Sequence, residues 1–595
     1  MFKKIIYLLT IQERKRGCLL LVMILMMAFL DMIGVASIMP FIAVLSNPEI
    51  VETNSFLKIF FETSSKYGID SKQQFILVLG ICTFILLVLS LSFKALTTYF
   101  QLRFIQMRQY SIGKRLVEGY LHQPYSWFLN RHSADLGKSI LSEVDVVVAN
   151  AIDPIMNLFA QIAVTIALFV LLILVDPKLT LIVLLSLSIP YGLIYNFTRN
   201  YISIIGKGRA KANNLRFTAI SEAFGATKEV KVGGLEEIFV KKFTDPAQIY
   251  ARHQISVQLI GKMPRFALEA IVFGGMLLVT LYIMKISSGF TNALPIIAVY
   301  AFAGYRLMPA LQQIYVSITK LRYVGPALET LYNDLNNQKP LVNQKIKETL
   351  TLKESIKLNN IHYTYPNISR TTLTDINLNI PAFNTVGLVG ATGSGKTTTI
   401  DIILGLLDAK EGTLKIDNQI INKYNKRLWQ NSIGYVPQHI FLADDSVTSN
   451  IAFGVDANDI NKDAIENAAK IANLHEFVIN ELPMQYDTKI GERGVRLSGG
   501  QRQRIGIARA LYHNPQVLIF DEATSALDNL TEKAVIDAVQ KIGGNKTIIM
   551  IAHRLSTVKK CDIIFFLEKG KLTGQGTFEE LIKSNENFQK SADNN

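Results

Sequence analysis

The 595-residue chain is 49% apolar and 18% charged, with a formal net charge of +14 and a mean hydropathy of +0.25. That hydropathy is high for a soluble protein, and the length allows at least two domains. The positive charge does not argue for a nucleic-acid partner, because many Lys and Arg residues flank hydrophobic runs, as the positive-inside rule places them. Cys18, Cys82 and Cys561 show no metal-site or disulfide spacing. Apolar residues form long runs in the first half and short bursts in the second, so a membrane domain is expected first and a soluble one after it.

The N-terminal stretch 1–17 is basic and semi-apolar, and the apolar run after it is too long for a signal-peptide core. It is read as the first of six spans, each near the roughly 20 residues a bilayer core needs. The spans fall at 18–45, 75–100, 154–175, 179–197, 266–286 and 293–318. Short turns join spans three to four, around Asp176-Pro177-Lys178, and five to six, near Gly289. Long polar segments lie between spans two and three and between four and five. These segments and the N-terminus carry the Lys and Arg excess, so they are expected in the cytoplasm with the C-terminal domain. Their sequences read as helical, so spans two to five should continue out of the membrane as helices. Reversals are expected near 133–138 and 223–228.

The outer segment 47–74 holds an apolar cluster, Phe56, Leu57, Ile59, Phe60 and Phe61, beside Lys58, Glu62 and Lys66. It reads either as an amphipathic helix at the outer face or as an ordinary loop. Charges inside spans are costly and usually functional. Asp31, Lys94, Arg265, Glu269 and Arg306 are the candidates. Arg306 either grips an anionic headgroup in a cavity or closes an interhelix ion pair, for instance with Glu269. Arg265 is its companion candidate for a substrate cavity.

After Tyr323 the composition turns polar. The domains expected are 1–330 in the membrane, a linker at 331–354 and a soluble α/β domain at 355–595. Gly390-Ala391-Thr392-Gly393-Ser394-Gly395-Lys396-Thr397 matches the G-x-x-x-x-G-K-[ST] phosphate loop, between an apolar strand and a helix opened by Thr398. Its backbone N–H groups wrap phosphates, Lys396 reaches the β- and γ-phosphates, and Thr397 offers a hydroxyl to Mg²⁺. Val517 to Phe520 form a buried strand ending in Asp521 and Glu522. Asp521 is placed for the Mg²⁺ shell and Glu522 as general base for the attacking water. Leu497-Ser498-Gly499-Gly500-Gln501 opens another helix and forms a second anion cradle.

Together these motifs resemble the ATP-binding cassette family along the whole chain. The resemblance implies a six-helix transmembrane domain of the type I exporters joined to an α/β P-loop nucleotide-binding domain, an ATP hydrolase that uses ATP and Mg²⁺. By motif, Tyr365 looks like the aromatic that stacks on adenine. Gln438 looks like the glutamine that touches Mg²⁺ or water. Gly491-Glu492-Arg493-Gly494 resembles the loop that communicates with the membrane domain. Ser525-Ala526-Leu527-Asp528 resembles the D-loop, and His553 the switch histidine at the γ-phosphate. In that family, Ser498 and Gly500 meet ATP held by the opposite subunit, so a homodimer is the simplest assembly and a heterodimer stays open.

No protease-like domain is read ahead of the first span, which argues against a peptide-processing exporter. Phe29-Leu30-Asp31-Met32-Ile33-Gly34, Met39-Pro40-Phe41, Met263-Pro264-Arg265 and Tyr305-Arg306-Leu307-Met308-Pro309 are similar to PglK-type flippases of lipid-linked oligosaccharides. That likeness implies a polyprenyl-pyrophosphate-linked glycan as substrate, membrane lipids as surroundings and the inner membrane as location. An exporter of other lipids or drugs is the alternative.

Overall fold

The computed structural model describes every residue except 70, 287–289, 338–347, 367–369, 492–493, 523–545, 553–554 and 594–595. The chain divides into two compact units: Met1–Gln123 with Arg131–Leu341, and Pro124–Asn130 with Val342–Asn595. Helix α10, introduced below, thus carries the first unit past residue 330.

The first unit is helical. Its elements are α1 (Phe2–Leu8), α2 (Ile11–Ala36), α3 (Ile38–Ser46), α4 (Ser55–Ser65), α5 (Lys72–Leu121), α6 (Asp153–Val175), α7 (Pro177–Gly225), α8 (Glu236–Ile286), α9 (Phe290–Tyr323) and α10 (Gly325–Asn336). The starts are written in the sequence. Thr10 and Ser71 each close a capping box, with Glu13 and Gln74. Asp176 ends α6 and caps α7, whose first residue is Pro177. The first expected span is two helices that break at Ser37, three residues before Pro40. Helix α5, at 50 residues, is about 75 Å long, well over the roughly 30 Å of a bilayer core. Spans two, four and five therefore run far beyond the membrane as single helices.

Among the described residues, four segments are long and apolar enough to cross a membrane: Ile11–Ser46, Lys72–Leu121, Ser133–Val175 and Pro177–Gly225. The fifth and sixth expected spans fall on α8 and α9, where many side chains lie outside the described ones. The faces of α5 are inverted relative to a water-soluble helix. Thr83, Ser90, Thr97 and Gln101 are buried, while Leu77, Phe84 and Leu91 are exposed. Lipid solvates the leucines, and the helix contacts use small and polar side chains. At the crossing of α7 with the end of α9, a Cβ on Gly206 would stand 2.3 Å from the Tyr323 carbonyl oxygen, so only glycine fits.

The first reversal lies elsewhere than expected. Helix α5 ends at Leu121, and the short helix Tyr125–Phe128 turns the chain, in the segment that groups with the second unit. Residues 133–138 already belong to the returning helical segment. Pro124 starts that short helix, which is why helical periodicity alone misplaced the turn. The second reversal matches its expected place, with α7 stopping at Gly225 and Gly234 adopting a left-handed conformation nine residues later.

In the second unit, an antiparallel sheet runs in the order β2-β1-β4-β5, with β1 Ser355–Tyr363, β2 Leu373–Pro381, β4 Glu411–Ile416 and β5 Gln419–Ile420. A six-stranded sheet follows the order β10-β9-β3-β8-β7-β6. Its strands are β3 (Thr385–Val389), β6 (Ile433–Val436), β7 (Val517–Asp521), β8 (Thr547–Ile551), β9 (Ile563–Glu568) and β10 (Lys571–Gly576). All its pairings are parallel except that of β10. Every residue of β7 and β8 is buried, as expected of central parallel strands covered on both faces. In such a sheet the carboxyl ends of the strands are where ligands bind. The chain leaves β3 into the phosphate loop, β6 towards Gln438 and β7 at Asp521.

Candidate functional site

The phosphate loop joins β3 to α11 (Lys396–Ile403). Gly390, Gly393 and Gly395 have φ of 153°, 79° and 102°, a run of left-handed turns that only glycines make cheaply. A Cβ at Gly390 would meet the Leu567 carbonyl oxygen at 2.2 Å, whereas Gly393 faces open space. Ala391, Thr392 and Gly393 are exposed, as is Thr397 on the first turn of α11. No side chain caps that helix, so its first N–H groups are left for an anion. The Ser394 hydroxyl is buried inside the loop without a hydrogen-bond partner among the described residues. An uncapped helix start, an orphan hydroxyl and an open glycine turn fit a phosphate chain.

Lys396 is buried, and its ammonium donates to the Gly390 and Ala391 carbonyls at 2.7 and 3.1 Å. Burial lowers its pKa, and the charges of Glu522 and Asp521 oppose that shift. The Tyr365 hydroxyl lies 3.0 Å from Thr398 Oγ1, which ties the expected adenine platform to α11. Asp521 ends β7 almost fully buried. Burial raises its pKa, against a hydrogen bond from Tyr435 and the charges of Lys396 and His439. Glu522 follows in a left-handed conformation, φ 51°, unusual for a side chain of its size. Its carboxylate accepts from Gln438 Nε2 at 2.6 Å. The structure thus brings Lys396, Asp521, Glu522 and Gln438 into one neighbourhood. Thr397, Gln438 and Asp521 supply the hydroxyl, amide and carboxylate oxygens that suit a hard cation such as Mg²⁺.

Ser498 caps α12 (Gly499–Leu511), with Gly499 and Gly500 as its first turn. The Ser498 hydroxyl accepts from the Gln501 N–H at 3.2 Å, and Gln501 Oε1 accepts from the Ser498 N–H at 2.8 Å. Ser498 is exposed, so this helix start is presented at the surface. His553, the D-loop residues Ser525 to Asp528, and Glu492 with Arg493 lie outside the described residues.

Sequence reasoning passed over Asp401 and Tyr435. Asp401 sits on α11, buried, and burial together with the Asp521 charge pushes its pKa up to about 6. An acid five residues past the phosphate-loop lysine was the available signal. Tyr435, three residues before Gln438, donates to Asp521 at 3.2 Å.

In the membrane unit Arg306 is ion-paired with Asp31, at 3.2 Å, rather than with Glu269. Lys94 reaches the same carboxylate at 3.5 Å and Ser90 donates to it at 2.9 Å. Asp31 is fully enclosed, while Lys94 and Arg306 keep partial exposure. Arg265 is exposed and pairs with Glu269, one turn along its own helix, at 2.7 Å. One pair is therefore locally neutral, and the three-residue cluster carries one excess positive charge.

Comparison with known proteins agrees with this layout. Residues 21–310 match the ABC transporter transmembrane region and residues 373–525 the ABC transporter family. The heterocyst differentiation ATP-binding protein HepA of Nostoc sp. is 30% identical over 84% of this chain and 82% of its own. The ATP-dependent lipid A-core flippase of Pseudomonas aeruginosa is 30% identical over 78% and 76%. The solved structure of a bacterial Atm1-family ABC exporter with ATP bound shares the fold, with a TM-score of 0.79, 22% identity and 98% of both chains covered. This chain belongs to the ABC transporter family, as an exporter-type half-transporter that joins one transmembrane domain to one ATP-hydrolysing domain.

Proposed function

We propose that two copies of this chain assemble into a flippase that uses ATP to move an anionic glycolipid from the cytoplasmic to the outer leaflet of the inner membrane. A polyprenyl-pyrophosphate-linked oligosaccharide is the first candidate substrate. The observation that carries this reading is the Asp31–Lys94–Arg306 cluster. Two cations share one buried carboxylate, so one positive charge is left for an anion in a medium where uncompensated charge is costly. Arg265 contributes less, because Glu269 already answers it. Helix α4 adds support. Asn54 caps it, Leu57 is buried, and Phe56, Ile59 and Phe60 are exposed along one face, which suits a long apolar tail.

The soluble unit drives the cycle. Lys396, the loop amides and Thr397 would hold the nucleotide's phosphates, Tyr365 its base, and Thr397, Gln438 and Asp521 would hold Mg²⁺. The metal, when bound, neutralises charge on the phosphates. Glu522 accepts a proton from the attacking water, and by motif His553 is assigned to the γ-phosphate. Ser498, Gly499, Gly500 and Gln501 close on the nucleotide of the second copy. ATP favours the closed pair and thereby shifts the membrane unit outward.

A second reading follows from the relatives named as lipid A-core flippases. Here too the substrate is a lipid, with a different headgroup. Stimulation of ATPase activity in nanodiscs separates the two. Polyprenyl-pyrophosphate oligosaccharide is expected to raise turnover in the wild type and far less in Arg306→Ala. Stimulation by lipid A-core alone would move the assignment to the second reading, and stimulation by neither would remove both.

A further inference from the structure

A metal-binding carboxylate needs a fixed direction. Asp521 follows the buried strand β7 and is almost fully enclosed. Glu522, its neighbour in the chain, acts on it with like charge, and Asp401 on α11 is close enough to feel the Asp521 charge. Like charge supplies no attractive partner to hold the carboxylate in one pose. Lys396 offers opposite charge, but its ammonium is held on two loop carbonyls.

Tyr435 supplies the missing constraint. Strands β6 and β7 pair in parallel, with Tyr435 opposite Ile519 and Val436 opposite Phe520. Side chains alternate along a strand, so Tyr435, Ile519 and Asp521 share one face of the sheet. The phenol lies against the core that contains Ile519, and its hydroxyl donates to Asp521 Oδ2 at 3.2 Å. The ring is therefore braced by that core, and its hydroxyl holds one carboxylate oxygen while the other is left for a metal. Three residues further along the same strand exit stands Gln438, the second expected metal contact.

We propose that Tyr435 is a positioning residue for Mg²⁺, whose hydroxyl orients the Asp521 carboxylate and ties it to the strand that carries Gln438. The inference rests on the reading of Asp521 as a metal ligand. Mg²⁺ demands near-ideal octahedral geometry, and loss of an outer hydrogen bond to a ligand typically costs about 10- to 100-fold in metal affinity.

The test uses the full-length transporter with a non-hydrolysable ATP analogue and Mn²⁺ as a paramagnetic probe, titrated by EPR. Wild type, Tyr435→Phe and Asp521→Asn are compared, and nucleotide binding is measured separately in EDTA. Tyr435→Phe removes one oxygen and keeps the ring in the core. The expected result is Mn²⁺ affinity weakened about tenfold in Tyr435→Phe and further in Asp521→Asn, with metal-free nucleotide binding unchanged. Wild-type Mn²⁺ affinity in Tyr435→Phe beside a weak Asp521→Asn would overturn the role of Tyr435 and leave Asp521 standing. Wild-type affinity in Asp521→Asn would overturn the ligand assignment itself. Equal losses with and without metal in Tyr435→Phe would show a structural role only and also overturn the proposal.

Discussion

The membrane unit and the soluble unit solve opposite solvent problems with the same residue types. Helix α5 buries Thr83, Ser90, Thr97 and Gln101 and turns Leu77, Phe84 and Leu91 outward. Strands β7 and β8 bury every residue and leave their chemistry to the strand ends. In water the apolar side chains drive burial, whereas in lipid they are already solvated and the polar ones seek each other. Charge follows the same division. Lys396 and Asp521 are buried at the carboxyl ends of strands beside the exposed turn of the phosphate loop, while Asp31 is enclosed and is answered by Lys94 and Arg306. The difference teaches that an uncharged polar residue in the membrane unit marks a helix contact, while charges in either unit mark a candidate site.

That contrast can be broken at four places. The largest effect belongs to Glu522→Gln, which removes the base and leaves the phosphate loop intact. Its ATPase rate is expected to drop by about 10²- to 10⁴-fold with ATP affinity kept, read by turnover and equilibrium binding. Next is Asp31→Asn, which strands two cations. A loss of about 3–5 kcal/mol is expected in chemical unfolding of the purified transporter, recovered in part by adding Arg306→Gln. No loss would mean that the cluster is hydrated and that the membrane unit follows soluble rules there.

Asp401→Asn should act in the other direction. The folded-state pKa of Asp401, about 6, stands above the usual aspartate value near 4. The folded state therefore holds that proton more tightly, and wild-type stability declines as pH rises from about 4 to about 6, then levels. The Asn variant lacks this decline and should be more stable at pH 7 by about 2–3 kcal/mol in nucleotide-free unfolding curves. The smallest effect is Ser498→Ala. Losing a helix cap costs about 1 kcal/mol, so a much larger fall in ATPase activity than in stability would mark Ser498 as a group that acts on nucleotide.

The legible parts of this protein are those where local sequence dictates local geometry. The phosphate loop was readable because three left-handed glycines and a helix start need those residues in that order. The first four spans were readable because lipid demands long apolar helix, though the break at Ser37 was not. The first reversal was not, because Pro124 and the four-residue helix Tyr125–Phe128 interrupt a periodic pattern that otherwise runs on. The partners of the intramembrane charges were also illegible. Arg306 meets Asp31, 275 positions away, and no periodicity encodes which of several acids a folded bundle brings alongside. Tyr435 and Asp401 escaped for the same reason, since their meaning depends on the pairing of β6 with β7 and on the packing of α11.

The most direct test of the central claim is leaflet exchange. The purified protein is reconstituted in liposomes with a fluorescent polyprenyl-pyrophosphate oligosaccharide, and loss of label from one leaflet is followed after ATP is added. ATP-dependent movement is expected, abolished by Glu522→Gln and slowed by Arg306→Ala. Brisk ATP hydrolysis with no movement of the lipid would contradict the account.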